Sequence, residues 1–391
     1  MPLPAAALAT ALTLTARDDL QLEAGLLTVG RTRTSAPSGG PATTTTEAVL
    51  QPRVSAALTG PDAGVALAYH PRLTAPDLLA RDRPDVLHVA DVRTTLRLDP
   101  AWGLAVVAEG ARGTTDMLTE SRRAAVPDLQ TITTRQLVRY RSARADLRLD
   151  GGLGARTTLG ASAGWFLDGG EDSPSRALVP VERGVRGDAA LRFSATPRDQ
   201  LEGRLDWTGT QLLARTTSLA RLVGTWRRRV SPTLEAWAGG GAIGAVERQG
   251  GGTSRQVFPA AELGASGAAR PNLSEELVAR LGAYVDRGTG DVARQLEAVA
   301  TVRWSFARAW SLSARGAVAS ARTPGGEVRR AALATFLDWA TVEHVTVGGG
   351  VYGDWQAAAA PGLPSFYEGG LFVTLSADTA AGAPPRGFTL P

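Results

Sequence analysis

The sequence predicts an all-β chain: a transmembrane, antiparallel, up-and-down β-barrel of about eighteen strands with periplasmic termini. Three observations lead there. Hydrophobicity alternates with a period of two along most of the chain. No stretch is apolar enough to cross a membrane as a helix. Short Pro, Gly and Asp turns alternate with longer polar connections.

The alternation is clearest from His88 to Leu98. Ala90, Val92, Thr94, Leu96 and Leu98 make one face; Asp91, Arg93, Thr95 and Arg97 make the other. Ser142 to Asp150, Val185 to Phe193, Leu201 to Trp207 and Leu296 to Phe306 repeat the pattern. A helix would need apolar spacings of three and four, which these segments lack. Only alternate residues of a barrel strand face lipid, so a chain of mean hydropathy −0.06 can still span a membrane.

Short turns fall at Gly60–Ala63, Asp99–Ala101, Asp150–Gly152, Thr196–Asp199, Ser231–Thr233, Arg270–Asn272 and Ala307–Ala309. Longer connections are expected at Ser35–Thr44, Ala75–Asp85, Thr115–Gln130, Asp168–Pro180 and Gln356–Pro364, on the extracellular side. Strand segments begin near Leu20, Glu47, Gly64, Val86, Trp102 and Thr133, and the series ends near Ser365. Two aromatic belts are expected at the headgroup levels. Trp102, Trp226, Trp237, Trp304, Phe306 and Trp310 lie beside the short turns, and Trp165, Phe166, Trp355, Phe366 and Tyr367 beside the long connections.

Composition narrows the function classes. The chain has 391 residues and no Cys, which excludes disulfides, thiolate metal sites and Cys nucleophiles. Lys is absent, so the 42 basic residues are all Arg, and the net charge is only +4. Basic residues alternate along strands and do not cluster with aromatics, which argues against nucleic acid. No metal-ligand spacing and no cofactor motif are visible. Residues 1–16 read as a signal-peptide remnant or a frayed end, 17–378 as one barrel, and 379–391 as a flexible tail.

Candidate chemistry is sparse. His70, His88 and His344 are the only histidines, and none has a Ser elbow or a carboxylate pair beside it. Ordinary rim hydrogen bonds account for them, and no catalysis is expected. Gly239, Gly241 and Gly244 have dinucleotide-fingerprint spacing, but within a strand pattern, where small residues relieve crowding. The run Thr43–Thr46 reads as a loop edge.

The charged face carries the functional signal. Arg53, Arg93, Arg97, Arg144, Arg148, Arg186, Arg192, Arg204, Arg280, Arg303, Arg315 and Arg330 fall on the inner face, as expected pore-lining residues. Asp91, Asp146, Asp188, Glu202, Asp206, Glu262 and Glu297 lie among them. Such a lining either braces the wall through ion pairs or selects permeants by charge, and the Arg excess favours anions.

One region goes beyond architecture. Leu50-Gln51-Pro52-Arg53-Val54, Tyr69-His70-Pro71-Arg72-Leu73 and Leu87-His88 resemble the opening strands of large outer-membrane barrels of bacterial exopolysaccharide systems. The resemblance covers roughly residues 45–100. It implies a non-catalytic conduit for an exported polysaccharide, with a periplasmic export protein as partner and the bilayer and lipopolysaccharide as surroundings. A passive or anion-preferring porin shares nearly every feature. A closed barrel anchoring an envelope complex is the third reading. A connection folded into the lumen would favour the porin.

Overall fold

The structure, a computed structural model, describes residues 19–37, 40–75, 84–116, 137–286, 290–323, 326–342, 344–358 and 365–378. The leader-like 1–16, the tail 379–391 and most of the expected connection Thr115–Gln130 lie outside the described residues.

The first strands are β1 (Asp19–Pro37), β2 (Thr43–Thr59), β3 (Ala63–Tyr69), β4 (Arg72–Ala75), β5 (Asp85–Arg97), β6 (Trp102–Asp116) and β7 (Leu137–Gly154). Next come β8 (Thr157–Gly170), a short helix α1 (Ser173–Leu178), β9 (Glu182–Ser194), β10 (Asp199–Leu212), β11 (Arg215–Ser231), β12 (Leu234–Gln249) and β13 (Gly252–Arg270). The chain finishes with β14 (Leu273–Val285), β15 (Val292–Ala307), β16 (Trp310–Thr323), β17 (Gly326–Val342), β18 (Val345–Ala358) and β19 (Phe366–Asp378).

Apart from β3 and β4, each strand pairs antiparallel with its sequence neighbours, and β1 pairs with β19 from Gly25↔Asp378 to Pro37↔Phe366, which closes the barrel. β3 and β4 both lie between β2 and β5, so the nineteen segments form eighteen wall strands. Their break falls at His70-Pro71, where proline removes a ladder donor. The His70 backbone N–H still donates to Val89 O, 2.9 Å away.

Three connections differ from expectation. The turn expected at Asp150–Gly152 falls within β7, whose pairing with β8 continues to Gly154↔Thr157, so the chain turns at Ala155-Arg156. β10 and β11 join through Leu213-Ala214, and β12 and β13 through Gly250-Gly251, on the same rim as the longer connections. The paired glycines have φ of 55° and 85°, the left-handed conformation a two-residue hairpin requires. Thr43–Thr46 is no loop edge: it opens β2 and pairs with Thr32–Ser35 of β1, as β-branched residues favour. The Asp168–Pro180 segment carries the end of β8 and α1. Asp172 caps α1 by accepting from Ser175 N–H, at 2.9 Å.

The two faces of the wall are chemically distinct. Leu98, Leu147, Leu191 and Leu205 are exposed on one face, with Leu96 and Leu149 half-buried on the same parity. The charged face is the concave one. Side chains on it meet across an intervening strand: Asp146 of β7 with Arg186 of β9, and Arg221 of β11 with Glu262 of β13. Strands stand about 4.7–4.9 Å apart, so such skipped-strand contacts need side chains that converge. The apolar face is therefore the outside.

Trp165, Trp207, Trp226, Trp304, Trp339, Trp355 and Tyr367 stand exposed on that outer face near the strand ends. Three of the expected belt residues point inward. Trp237 is buried and donates from Nε1 to Glu262 Oε1 at 3.0 Å. Phe366 is buried, and Phe166 alternates with the outward Trp165. Their parity matches the charged residues of their own strands, which decides the face.

Candidate functional site: the charged interior of the barrel

Every expected pore-lining residue lies on the interior parity of its strand. Most of the guanidiniums there are compensated. Arg144 of β7 sits opposite Glu109 of β6 and donates to it at 2.5 Å. Arg192 and Glu202 face each other across β9 and β10 at 2.9 Å. Arg148 forks onto Asp150 at 2.6 and 3.1 Å, and Arg204 reaches Asp206 at 2.6 Å, each two residues along its own strand. Arg186 makes a bidentate contact with Asp146 at 2.9 and 2.5 Å, the geometry that suits a planar fork. That contact passes over β8 because Gly164 stands between. A Cβ there would strike the Asp146 carboxylate, and Ala145 O would lie at 2.8 Å.

Asp188 accepts from the Ser162 hydroxyl. Glu262 gathers Trp237, Arg280 at 3.3 Å and Arg221 at 3.8 Å. Glu297 lies in register with Arg280 on the other side. Arg330 forms a fully buried pair with Asp354. Arg31–Glu47 and Tyr352–Glu368, the latter at 3.0 Å, extend this network over β17, β18, β19, β1 and β2. Just below it, Phe336 and Phe372 stack at 5.4 Å beside Tyr352, giving the interior an apolar strip.

Four guanidiniums differ. Arg53, Arg93, Arg97 and Arg315 have no ion-pair partner among the described residues; Arg303 makes no ion pair either, but it interacts electrostatically with Asp338. Register explains it: Arg93 lies between Ala66 and Val107, Arg97 beside Gly103, Arg53 beside Gly25, and Arg315 between Thr301 and Ala334. Sequence alternation had not separated these four from the paired set.

The histidines take ordinary roles. His70 bridges Gln51 at 3.0 Å and Asp91 at 3.2 Å inside the barrel. His88 lies outside, 2.6 Å from the Tyr69 hydroxyl. Gly239 and Gly241 serve close packing, since a Cβ on either would strike β11, whereas Gly244 faces open space. No group of three His, Cys, Asp or Glu that could hold a metal occurs among the described residues.

One element leaves the wall. β13 and β14 pair only from Ala261↔Leu281 towards the short turn, while β14 and β15 stay paired up to Val285↔Val292. Beyond that point their tip tucks inside β11 and β12. Val292 packs with Val223, Ile243, Ala245 and Phe258, and its N–H donates to Glu247 Oε1 at 2.8 Å. Asp291 pairs with Arg215, and the Arg294 guanidinium lies 4.9 Å from the Phe258 ring centre. The hairpin tip therefore narrows the interior at the long-connection end.

No family model and no curated protein matches the chain. Solved barrels do. The chain is similar to OccK2 (OpdF) of Pseudomonas aeruginosa in complex with glucuronate, with TM-score 0.50 and 12% identity over 92% of this chain and 99% of that one. OpdK of the same organism, solved with vanillate, gives 0.50 and 12% over 92% and 99%. The FrpB iron transporter of Neisseria meningitidis (F3-3 variant) gives 0.55 and 7% over 86% of this chain and 62% of that one. The chain folds as an outer-membrane β-barrel. None of these neighbours is named as a polysaccharide-export barrel, so the expected export association finds no support among them.

Proposed function

We propose that this chain is a passive channel of the outer membrane that prefers small anionic solutes, with its long-connection rim facing outward. The observation that carries the reading is local: four guanidiniums on the wall stand without an acid in register, although Asp188, Glu297 and Asp338 elsewhere on the inner face also make no ion pair. Arg53, Arg93, Arg97 and Arg315 lack compensating acids among the described residues, so the lumen field is positive where these side chains stand. The inward-folded β14–β15 tip supports a porin-like constriction over an export conduit. Glucuronate and vanillate, present in the solved OccK2 and OpdK, are small carboxylates, the class such a lining would attract.

The residues behind the export resemblance have local work to do. Gln51, His70 and Asp91 form one hydrogen-bonded chain, and Arg72 reaches Thr115. That supports a structural role for Leu50–Val54 and Tyr69–Leu73. Arg144, Arg148, Arg192 and Arg204, also expected to line the pore, each have an acid at hand and contribute less. The test is the reversal potential of the reconstituted chain in a salt gradient. The parent should prefer anions, and Arg93→Gln with Arg97→Gln should shift it towards cations. An Arg144→Gln variant shifting it equally would sink this assignment.

A further inference from the structure

At the long-connection rim, charged side chains also reach the outer face, and arginines outnumber acids among them. Arg112, Arg139 and Arg141 share their outward parity with Val106 and Leu147. Further round the wall, Arg183, Arg255 and Arg329 do the same beside Val185, Val257 and Leu333. Among described side chains, the acids at this outer rim are Glu327 on β17, Glu171 and Asp172 beyond β8, and Asp85, which lines a hollow beside Arg112.

The densest part spans β5, β6 and β7. His88, Arg112 and Arg141 lie in one cross-strand row, so two guanidiniums stand directly opposite each other. Like charges so placed repel unless an anion lies between them. Glu171 partly fills that role by pairing with Arg112, and the three arginines around it hold its carboxyl below the usual carboxylate range. Asp172 lies 3.9 Å from Arg139. Arg112 and Arg139 remain 72% and 64% exposed and border a hollow of about 560 Å³ that also takes in His88, Thr114 and Asp85.

Depth identifies the occupant. Below this row the outward residues turn small and apolar, Ala90, Gly110 and Ala143, and Trp165 stands beside Ala145 at the level of the aromatic belt. The guanidiniums therefore sit two outward-facing steps above the belt, where lipid headgroups lie. A headgroup phosphate offers oxygens that two or three guanidiniums can share.

We infer that Arg112, Arg139 and Arg141 form a binding site for the phosphate of a phosphorylated amphiphile in the leaflet facing the long-connection rim. The inference rests on the outward-facing long-connection rim proposed above but not on conduction. Glu171 acts as the internal stand-in that the phosphate displaces from Arg112.

The test measures thermal unfolding of the full chain in detergent with added doubly phosphorylated glycolipid (lipid A), the same glycolipid dephosphorylated, or inorganic phosphate. Lipid A should raise the unfolding temperature, and the other two should not. Arg139→Gln with Arg141→Gln should remove at least half of the rise while leaving single-channel behaviour as in the parent. Glu171→Gln should enlarge the rise, which keeps the test decisive if the double variant fails to fold. An equal rise in the double variant, an equal rise with dephosphorylated glycolipid, or the full effect from inorganic phosphate would each overturn the site. A chain that conducts nothing but keeps the phosphate-dependent rise would refute the channel alone.

Discussion

At the residue scale, the interior is organised by what stands between charges. Gly164 is the clearest case. It lets Arg186 reach Asp146 across β8, so Gly164→Val should overpack that crossing and cost about 1–3 kcal/mol, read as a lower unfolding temperature in detergent. An unchanged midpoint would show that the bidentate pair is not held there. Arg93 and Arg97 are the converse case, with small and apolar neighbours in register and no acid. The sequence shows the alternation that places all these arginines inside, but not which are compensated. Compensation depends on register between strands, and one residue of slip would change every partner. Trp237 was readable and missed: it shares parity with Glu235 and Glu247, which mark the charged face.

At the element scale, strand boundaries were largely legible because Pro, Gly and Asp turns punctuate the short-turn rim. The expected starts at Leu20, Gly64, Val86, Trp102 and Ser365 fall within a residue of β1, β3, β5, β6 and β19. The inward tip of β14–β15 was not legible, since Val292 reads as a strand residue whichever surface it packs against. Pro259, in the stretch of β13 that lacks a β14 partner, was the available signal, because strands tolerate proline at edges. Replacing residues 286–291 with a two-residue Asn-Gly turn should raise single-channel conductance without abolishing folding. A conductance equal to the parent's would mean that the tip is no constriction. The faces can be tested within β7. Leu147→Arg places a charge in lipid near mid-strand and should cost about 2–4 kcal/mol, whereas Arg148→Leu should cost much less. Equal tolerance of both in a detergent-unfolding assay would reverse inside and outside.

At the scale of the whole molecule, closure between β1 and β19 leaves no open edge at the seam, and the apolar exterior and charged interior follow from period-two alternation on a closed wall. Which rim faces the medium is set by the connections. Protease added to intact cells should cut within 115–130 before it cuts near Asp99-Pro100, and the opposite order would invert the orientation. The central claim is that the positive lining conducts. It is tested most directly by planar-bilayer recording of the purified chain in a salt gradient, alongside Arg93→Gln with Arg97→Gln. The account predicts discrete conductance steps in the parent with a reversal potential on the anion side, moved towards cations in the double variant. A cation-side reversal potential in the parent, or no steps even after the β14–β15 tip is replaced, would contradict it.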